Sequence, residues 1–333
     1  MTTARQLIGM IRSHAAGDDA RFMSIAEEIA SDAQKSGKVR VAGDIFKLLQ
    51  AARAQADARK SNVTQLQPTP LAKPRGELAN LIRVTYPETR MADLVLDEQL
   101  SRRIGRIVRE QKEAGALEAH GLAPRKRFLF SGPPGTGKTM TAAAIAGALS
   151  MPLFTIQLDG VINKYMGESA AKLRLIFDAM QTSRGVYFFD EVDALATARG
   201  NENDVGEARR VLTSFLQFLE EDNSRSIIIA ATNLKTLLDP AIFRRFQGAY
   251  VYSKPSAQEA RILLRHHLLQ FDRDAIDWRS VEQEIDGLSQ ADLAAAADDA
   301  ARDAVLDQKG TLTTNLLIRA LRDRKDIHAI DPD

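Results

Sequence analysis

Phe128-Leu-Phe-Ser-Gly132-Pro-Pro-Gly135-Thr136-Gly137-Lys138-Thr139 decides the fold. A short apolar run leads into G-x-x-x-x-G-K-T, and the Ala-rich segment Met140 to Leu149 follows as a helix. Strand, glycine loop and helix in that order predict a phosphate-binding loop. The residue types suit the chemistry. Glycines let backbone N–H groups curl around phosphate oxygens with no Cβ in the way. The helix points about half a positive charge at the same anion. The candidate phosphate contacts are Gly132, Pro133, Pro134, Gly135, Thr136, Gly137, Lys138, Thr139 and Met140. Lys138 is expected to reach the β/γ-phosphates, and the Thr139 hydroxyl to bind Mg²⁺.

Outward from that loop, apolar runs alternate with amphipathic segments. Strands are expected at Arg127–Ser131, Leu153–Leu158, Val186–Asp190, Ser226–Ala231 and Ala249–Tyr252. Helix stripes fall at Leu173, Ile176, Phe177, Met180 and at Val211, Phe215, Phe218, Leu219. Short, fully apolar strands alternating with helices predict an α/β fold, a parallel sheet covered on both faces. After Pro255 the pattern is purely helical: Ala257 to Leu269, Trp278 to Glu284, Gln290 to Leu306 and Thr314 to Arg322. Four parts are therefore expected: an N-terminal helical module at 1–60, a linker at 61–76, an α/β domain at 77–253 and a helical lid at 254–333. Pro68, Pro70 and Pro74 rule out a continuous helix across the linker.

Composition narrows the classes. With 44% apolar and 27% charged residues, the chain reads as an ordinary globular protein. A net charge of +1 gives no global field for gripping nucleic acid or an anionic membrane, so neither is expected as a direct partner. The absence of cysteine removes disulfides and thiolate metal sites. No apolar run approaches the roughly 20 residues of a membrane span, and the polar start Met1-Thr-Thr-Ala-Arg5 is unlike a secretory signal. A cytoplasmic location is the default expectation.

Val186-Tyr-Phe-Phe-Asp190-Glu191 is an apolar strand ending in two acids. At a strand's carboxyl end Asp190 can hold Mg²⁺, while Glu191 can act as general base on the attacking water. Asp193 suits a cap of the next helix. Ser226-Ile-Ile-Ile-Ala-Ala-Thr232-Asn233 is a second buried strand with a polar end. Taken alone, Asn233 reads as an ordinary turn residue, and Arg244-Arg245 in Leu238-Asp-Pro-Ala-Ile-Phe-Arg-Arg-Phe246 as surface charge.

Together these motifs resemble the AAA+ P-loop ATPases, and within them the AAA group. Walker A at 132–139, Walker B at 186–191, a sensor-1 Asn233 and the "LDPAIFRRF" box occur in family order over about 77–310. The resemblance implies ATP and Mg²⁺ as ligands and ATP hydrolysis as the reaction. It implies that Asn233 orients the water and that Arg244 and Arg245 act as fingers on a neighbouring subunit's γ-phosphate. A homo-oligomer, usually a hexameric ring, follows from that. Lys164, Tyr165, Met166 and Gly167 resemble the pore loop of AAA unfoldases, although Tyr165 and Met166 also suit a core position at a helix start. By position, Arg199 to Glu207 matches a second pore loop.

Gly287-Leu-Ser-Gln290-Ala-Asp-Leu293 resembles the start of the family's lid helix, with no arginine before Arg302. Adenine contacts in the family would fall near Leu94-Val95-Leu96, with His120-Gly121 as another place for the base. Two uses of hydrolysis are open: a motor that threads or remodels a protein, and an ATP-gated switch or scaffold for a partner. No H-E-x-x-H or G-x-S-x-G motif occurs, so any proteolysis needs a separate subunit. The layout is also loosely similar to bacterial AAA ATPases paired with subtilisin-like proteases in phage-defence systems.

Overall fold

The computed structural model describes residues 76–161, 168–195, 202–233, 243–308 and 310–330, without the side chains of 159, 202–209 and 328–330. In chain order the principal elements are β1 (Ile82–Thr85), α1 (Glu98–Lys112), β2 (Arg127–Ser131), α2 (Lys138–Ala148), β3 (Leu153–Ile156), α3 (Glu168–Thr182), β4 (Val186–Phe189), α4 (Glu202–Glu221), β5 (Ile227–Thr232), β6 (Gly248–Val251), α5 (Ala257–His267), α6 (Gln290–Asp307) and α7 (Thr314–Ile330). Short helical turns lie at Leu78–Leu81, Ala114–Glu118, Leu158–Val161 and Trp278–Glu282.

The sheet order is β1-β3-β4-β5-β2-β6. β3, β4, β5, β2 and β6 run parallel, as the apolar runs predict. Edge strand β1 corrects the all-parallel expectation: it pairs antiparallel with β3, Ile82 opposite Ile156. Its Ile-Arg-Val-Thr sequence lacks the continuous apolar run that marks the others, because an edge strand covered on one side keeps alternate residues in water.

Alternation along each central strand sends side chains to two cores. Leu129, Tyr187, Phe189, Ile228 and Ala230 pack under α3 and α4, against Leu173, Ile176, Phe177, Phe215 and Leu219. Phe128, Phe130, Phe188, Ile227 and Ile229 turn to the other face, where α1 brings Ile104 and Ile107 and α2 brings Ala142 and Ile145. Each fully buried large apolar side chain contributes about 1.5–3 kcal/mol. α1 owes its place to Leu100, Ile104, Ile107 and Val108 on one stripe, and to Asp97, whose side chain accepts the Leu100 N–H at its start.

The lid has its own core of Leu263, Leu264, Trp278, Leu293, Ala297, Leu317 and Leu321. The small alanines of α6 let α5 and α7 approach closely. α7 runs on to Ile330, well past the expected end at Arg322. The strand expected to reach Leu158 ends at Ile156, and Leu158 opens a helical turn.

Candidate functional site

The phosphate loop joins β2 to α2 and lies at the carboxyl ends of the parallel strands, where open α/β sheets place their ligands. Its glycines are needed for different reasons. Gly137 caps α2 at φ 88° and Gly135 turns at φ 72°, left-handed conformations that other residues rarely adopt. Gly132 is set by space: a Cβ there would strike the Tyr252 carbonyl. Thr136 donates to the Pro133 carbonyl at 2.8 Å and Thr141 to the Gly137 carbonyl at 2.9 Å, fixing both sides of the turn. α2 starts without a side-chain cap, so its first N–H groups face the concavity of the loop.

Lys138 is buried, and its ammonium donates to the carbonyls of Gly132 at 2.7 Å and Pro133 at 2.8 Å and to Asn233 Oδ1 at 2.8 Å. Burial pulls its pKa down, while the negative charges of Asp190, Asp193 and Glu191 oppose that shift. Asp190 is the counterpart. Burial raises its pKa; the Glu191 N–H at 3.0 Å, the Thr139 hydroxyl at 3.3 Å and the Lys138 charge hold it down. β4, β5 and β2 are neighbours, so Asp190, Asn233 and the loop converge although they are far apart in sequence.

Glu191 is exposed and left-handed, with φ 51°. A non-glycine residue in that region costs about 1–3 kcal/mol and tends to occur where function holds it. Asp193 sits within the 3₁₀ turn Val192–Leu195, two residues past the cap position, which Glu191 occupies. Met140, the last of the candidate loop residues, is exposed on the first turn of α2.

Thr139 and Asp190 are the residues here that could hold Mg²⁺. Thr139 Oγ1 and Asp190 Oδ2 already lie within hydrogen-bond distance. Among the described residues no group of three or more His, Cys, Asp or Glu gathers as a metal cage. One hydroxyl and one carboxylate suit Mg²⁺, which keeps waters and shares phosphate oxygens, and would not suit zinc.

Arg244 and Arg245 stand apart from this cluster. They precede β6, and Gln247 just after them donates its N–H to the Arg127 carbonyl at the start of β2. From there to Ser131 is roughly 13 Å of parallel strand, so these arginines lie at the opposite end of the sheet from their own phosphate loop. Arg244 is exposed; Arg245 pairs with Glu220 near the end of α4 at 2.8 Å. Lys164, Tyr165, Met166 and Gly167 lie outside the described residues, as do 199–201 of the second loop. Residues 202–207 of that loop belong to α4 and are helical, because the helix starts ahead of Arg209 and Arg210. His120 is exposed, with its ring nitrogen on the Ala116 carbonyl at 2.9 Å.

The lid supplies contacts that local sequence reading did not anticipate. Ala291 N–H donates to the Gly135 carbonyl at 3.0 Å, and a Cβ on Gly135 would lie 2.5 Å from Ser289 Oγ. Ser289 and Asp292 form a reciprocal capping box that fixes the start of α6. Gln290 Nε2 donates to the Val95 carbonyl at 2.8 Å. The S-x-x-D pattern signals the cap; nothing local signals its seat against the phosphate loop.

Comparison with known proteins points to one family. The family described as "ATPase family associated with various cellular activities (AAA)" matches residues 128–252. A protein of Sinorhizobium fredii described as "Uncharacterized AAA family ATPase y4kL" is 32% identical over 92% of this chain and 91% of its own length. "ATP-dependent zinc metalloprotease FtsH 3" of Sphaerobacter thermophilus is 32% identical over 68% of this chain, which spans about half of that relative, 48%. The crystal structure of the FIGL-1 AAA domain superposes with a TM-score of 0.60 at 24% identity, covering 80% of this chain and 97% of that one, a likeness of fold. Among the described residues no helix is long and apolar enough to cross a membrane.

Proposed function

This chain belongs to the AAA family of ATPases, and on that premise we propose that its ATP hydrolysis is Mg²⁺-dependent, is completed between subunits of a ring, and drives protein remodelling. The observation that carries the reading is the convergence of Lys138, Thr139, Asp190 and Asn233 into one hydrogen-bonded group beside a helix N-terminus. Lys138 and the loop N–H groups hold the β- and γ-phosphates, and the three donors of the ammonium match several acceptors at once. Mg²⁺ on Thr139 and Asp190 would neutralise charge on the phosphate oxygens. Glu191, exposed and adjacent to Asp190, takes the proton of the attacking water as general base. Asn233 orients that water while holding Lys138 in register.

Arg244 and Arg245 complete the neighbour's site. Their separation from the chain's own loop supports action across a subunit boundary, and a closed ring supplies every site with that neighbour. A hexamer is the arrangement we propose, in the cytoplasm. The FtsH relative is named as an ATP-dependent protease, which favours a proteolytic partner; in this chain that activity would come from a separate protein.

Tyr165→Ala tests the purpose of hydrolysis, with unfolding of a tailed fluorescent reporter protein measured beside phosphate release. A motor gripping through Tyr165 loses unfolding and keeps ATPase activity. Unfolding at the wild-type rate would rule out threading and leave a nucleotide-gated switch.

A further inference from the structure

Among the described residues, the Gln290 side chain reaches from the phosphate loop to a different segment of the α/β domain. Its Nε2 donates to the Val95 carbonyl at 2.8 Å, across 195 residues of sequence. Its Oε1 would stand 2.8 Å from a Cβ built on Gly137, so it lies directly against the loop. The segment it reaches is itself a bridge: Val95 packs on the lid core and Leu96 on the α/β core.

Sheet order gives the direction of a bound nucleotide. β5 and β4 lie on one side of β2 and bring Asn233, Asp190 and Glu191, so the reacting phosphate belongs on that flank. β6 lies on the other side, and the chain leaves it toward the lid, where Lys254 Nζ donates to the Gly287 carbonyl at 2.7 Å. A nucleotide with its terminal phosphate toward Asp190 therefore extends its base toward the Gln290–Val95 junction. A carbonyl at that place accepts hydrogen bonds. It suits the exocyclic amino group of adenine and does not suit the 6-carbonyl of guanine.

We propose that Gln290 is a positioning residue that reads the base: its carboxamide and the adenine amino group compete for the Val95 carbonyl, so that seating adenine releases the first turn of α6 from the Leu94–Leu96 segment. The proposal rests on the ATP reading above. It gives the lid a signal from the base end of the nucleotide, separate from the phosphate signal carried by Lys138 and Asn233. α6 is the element placed to transmit it, since Ser289, Gln290 and Ala291 are consecutive and all meet the loop or Val95.

Gln290→Met keeps the length of the side chain and removes the donor. Affinities of the full chain for ATP and for purine riboside triphosphate, which lacks the amino group, are measured by displacement of a fluorescent ADP. The variant should bind ATP roughly two- to tenfold more tightly, the worth of one neutral hydrogen bond no longer displaced. Affinity for purine riboside triphosphate should stay unchanged, because that base leaves the Gln290–Val95 bond intact. An equal gain for both nucleotides, no gain, or a loss for ATP would reduce Gln290 to a structural contact and overturn the proposal. Failure of the underlying ATP reading looks different, since neither nucleotide would then bind wild type or variant.

Discussion

Lys126→Met tests how firmly the far end of the sheet holds the helix that carries Glu220. The Lys126 ammonium donates to the Asp222 carbonyl at 2.8 Å, to Asp222 Oδ2 at 2.6 Å and to the Ser224 carbonyl at 2.7 Å. The Asp222 side chain is 0% exposed and that of Lys126 20%. The other carboxylate oxygen accepts the Ser224 N–H at 3.1 Å and Gln181 Nε2 at 3.2 Å. Methionine preserves the packed stem and removes the charge, which leaves a buried carboxylate without its cation. Breaking a buried pair from one side costs about 3–5 kcal/mol. At about 2–4 °C per kcal/mol for a domain of this size, the melting temperature should fall by roughly 6–20 °C. Circular dichroism during heating, with a urea titration alongside, measures it.

The double variant Lys126→Met/Asp222→Asn removes the stranded charge as well and should recover part of the loss, because contacting residues do not add independently. A single variant melting within about 2 °C of wild type would refute the reasoning. So would a double variant showing the full sum of the two single losses.

Two further outcomes follow from the site. Glu191→Gln should retain ATP binding while turnover falls by about 10²–10⁴-fold, read as phosphate release in single-turnover conditions; wild-type turnover would remove Glu191 as base. Arg244→Ala/Arg245→Ala chains and Glu191→Gln chains, each inactive alone, should regain about a quarter of wild-type activity when mixed equally, since that share of interfaces pairs an intact base with a neighbour's arginines. No recovery on mixing, with mixed oligomers verified by mass, would count against action between subunits.

What could be read from sequence was local. The phosphate loop and the Asp190-Glu191 pair directly follow apolar strands, so composition and order suffice to find them, whereas Asn233 at the end of its strand stands out only through its place in the order of motifs. β1 escaped because Arg83 and Thr85 interrupt its apolar pattern and its partner lies about 70 residues away, beyond any local signal. The extension of α7 past Arg322 escaped for a related reason. Its last turns present exposed Ile327 beside charged residues, so helix propensity carries them without the buried stripe that marks a helix in sequence. The pairing of Arg245 with Glu220 and of Gln290 with Val95 depends on which elements the sheet order makes neighbours.

The charge arrangement of the site also separates stability from function. Lys138 and Asp190 are each pushed by burial toward their neutral forms, and the charge of each opposes that shift in the other. A carboxylate whose folded pKa is raised costs stability above that pKa, and the cost fades as pH falls through it; an ammonium whose folded pKa is lowered costs stability below its own, and the cost fades as pH rises. Near neutral pH both costs are present together. Add the left-handed Glu191, and the carboxyl ends of β4, β5 and β2 become the place where the fold holds its least comfortable groups. The opposite end of the same strands carries the Lys126–Asp222 clamp, with its donors and acceptors paired. A sheet anchored firmly at one end can hold strained, partly desolvated charge at the other, where phosphate chemistry requires it.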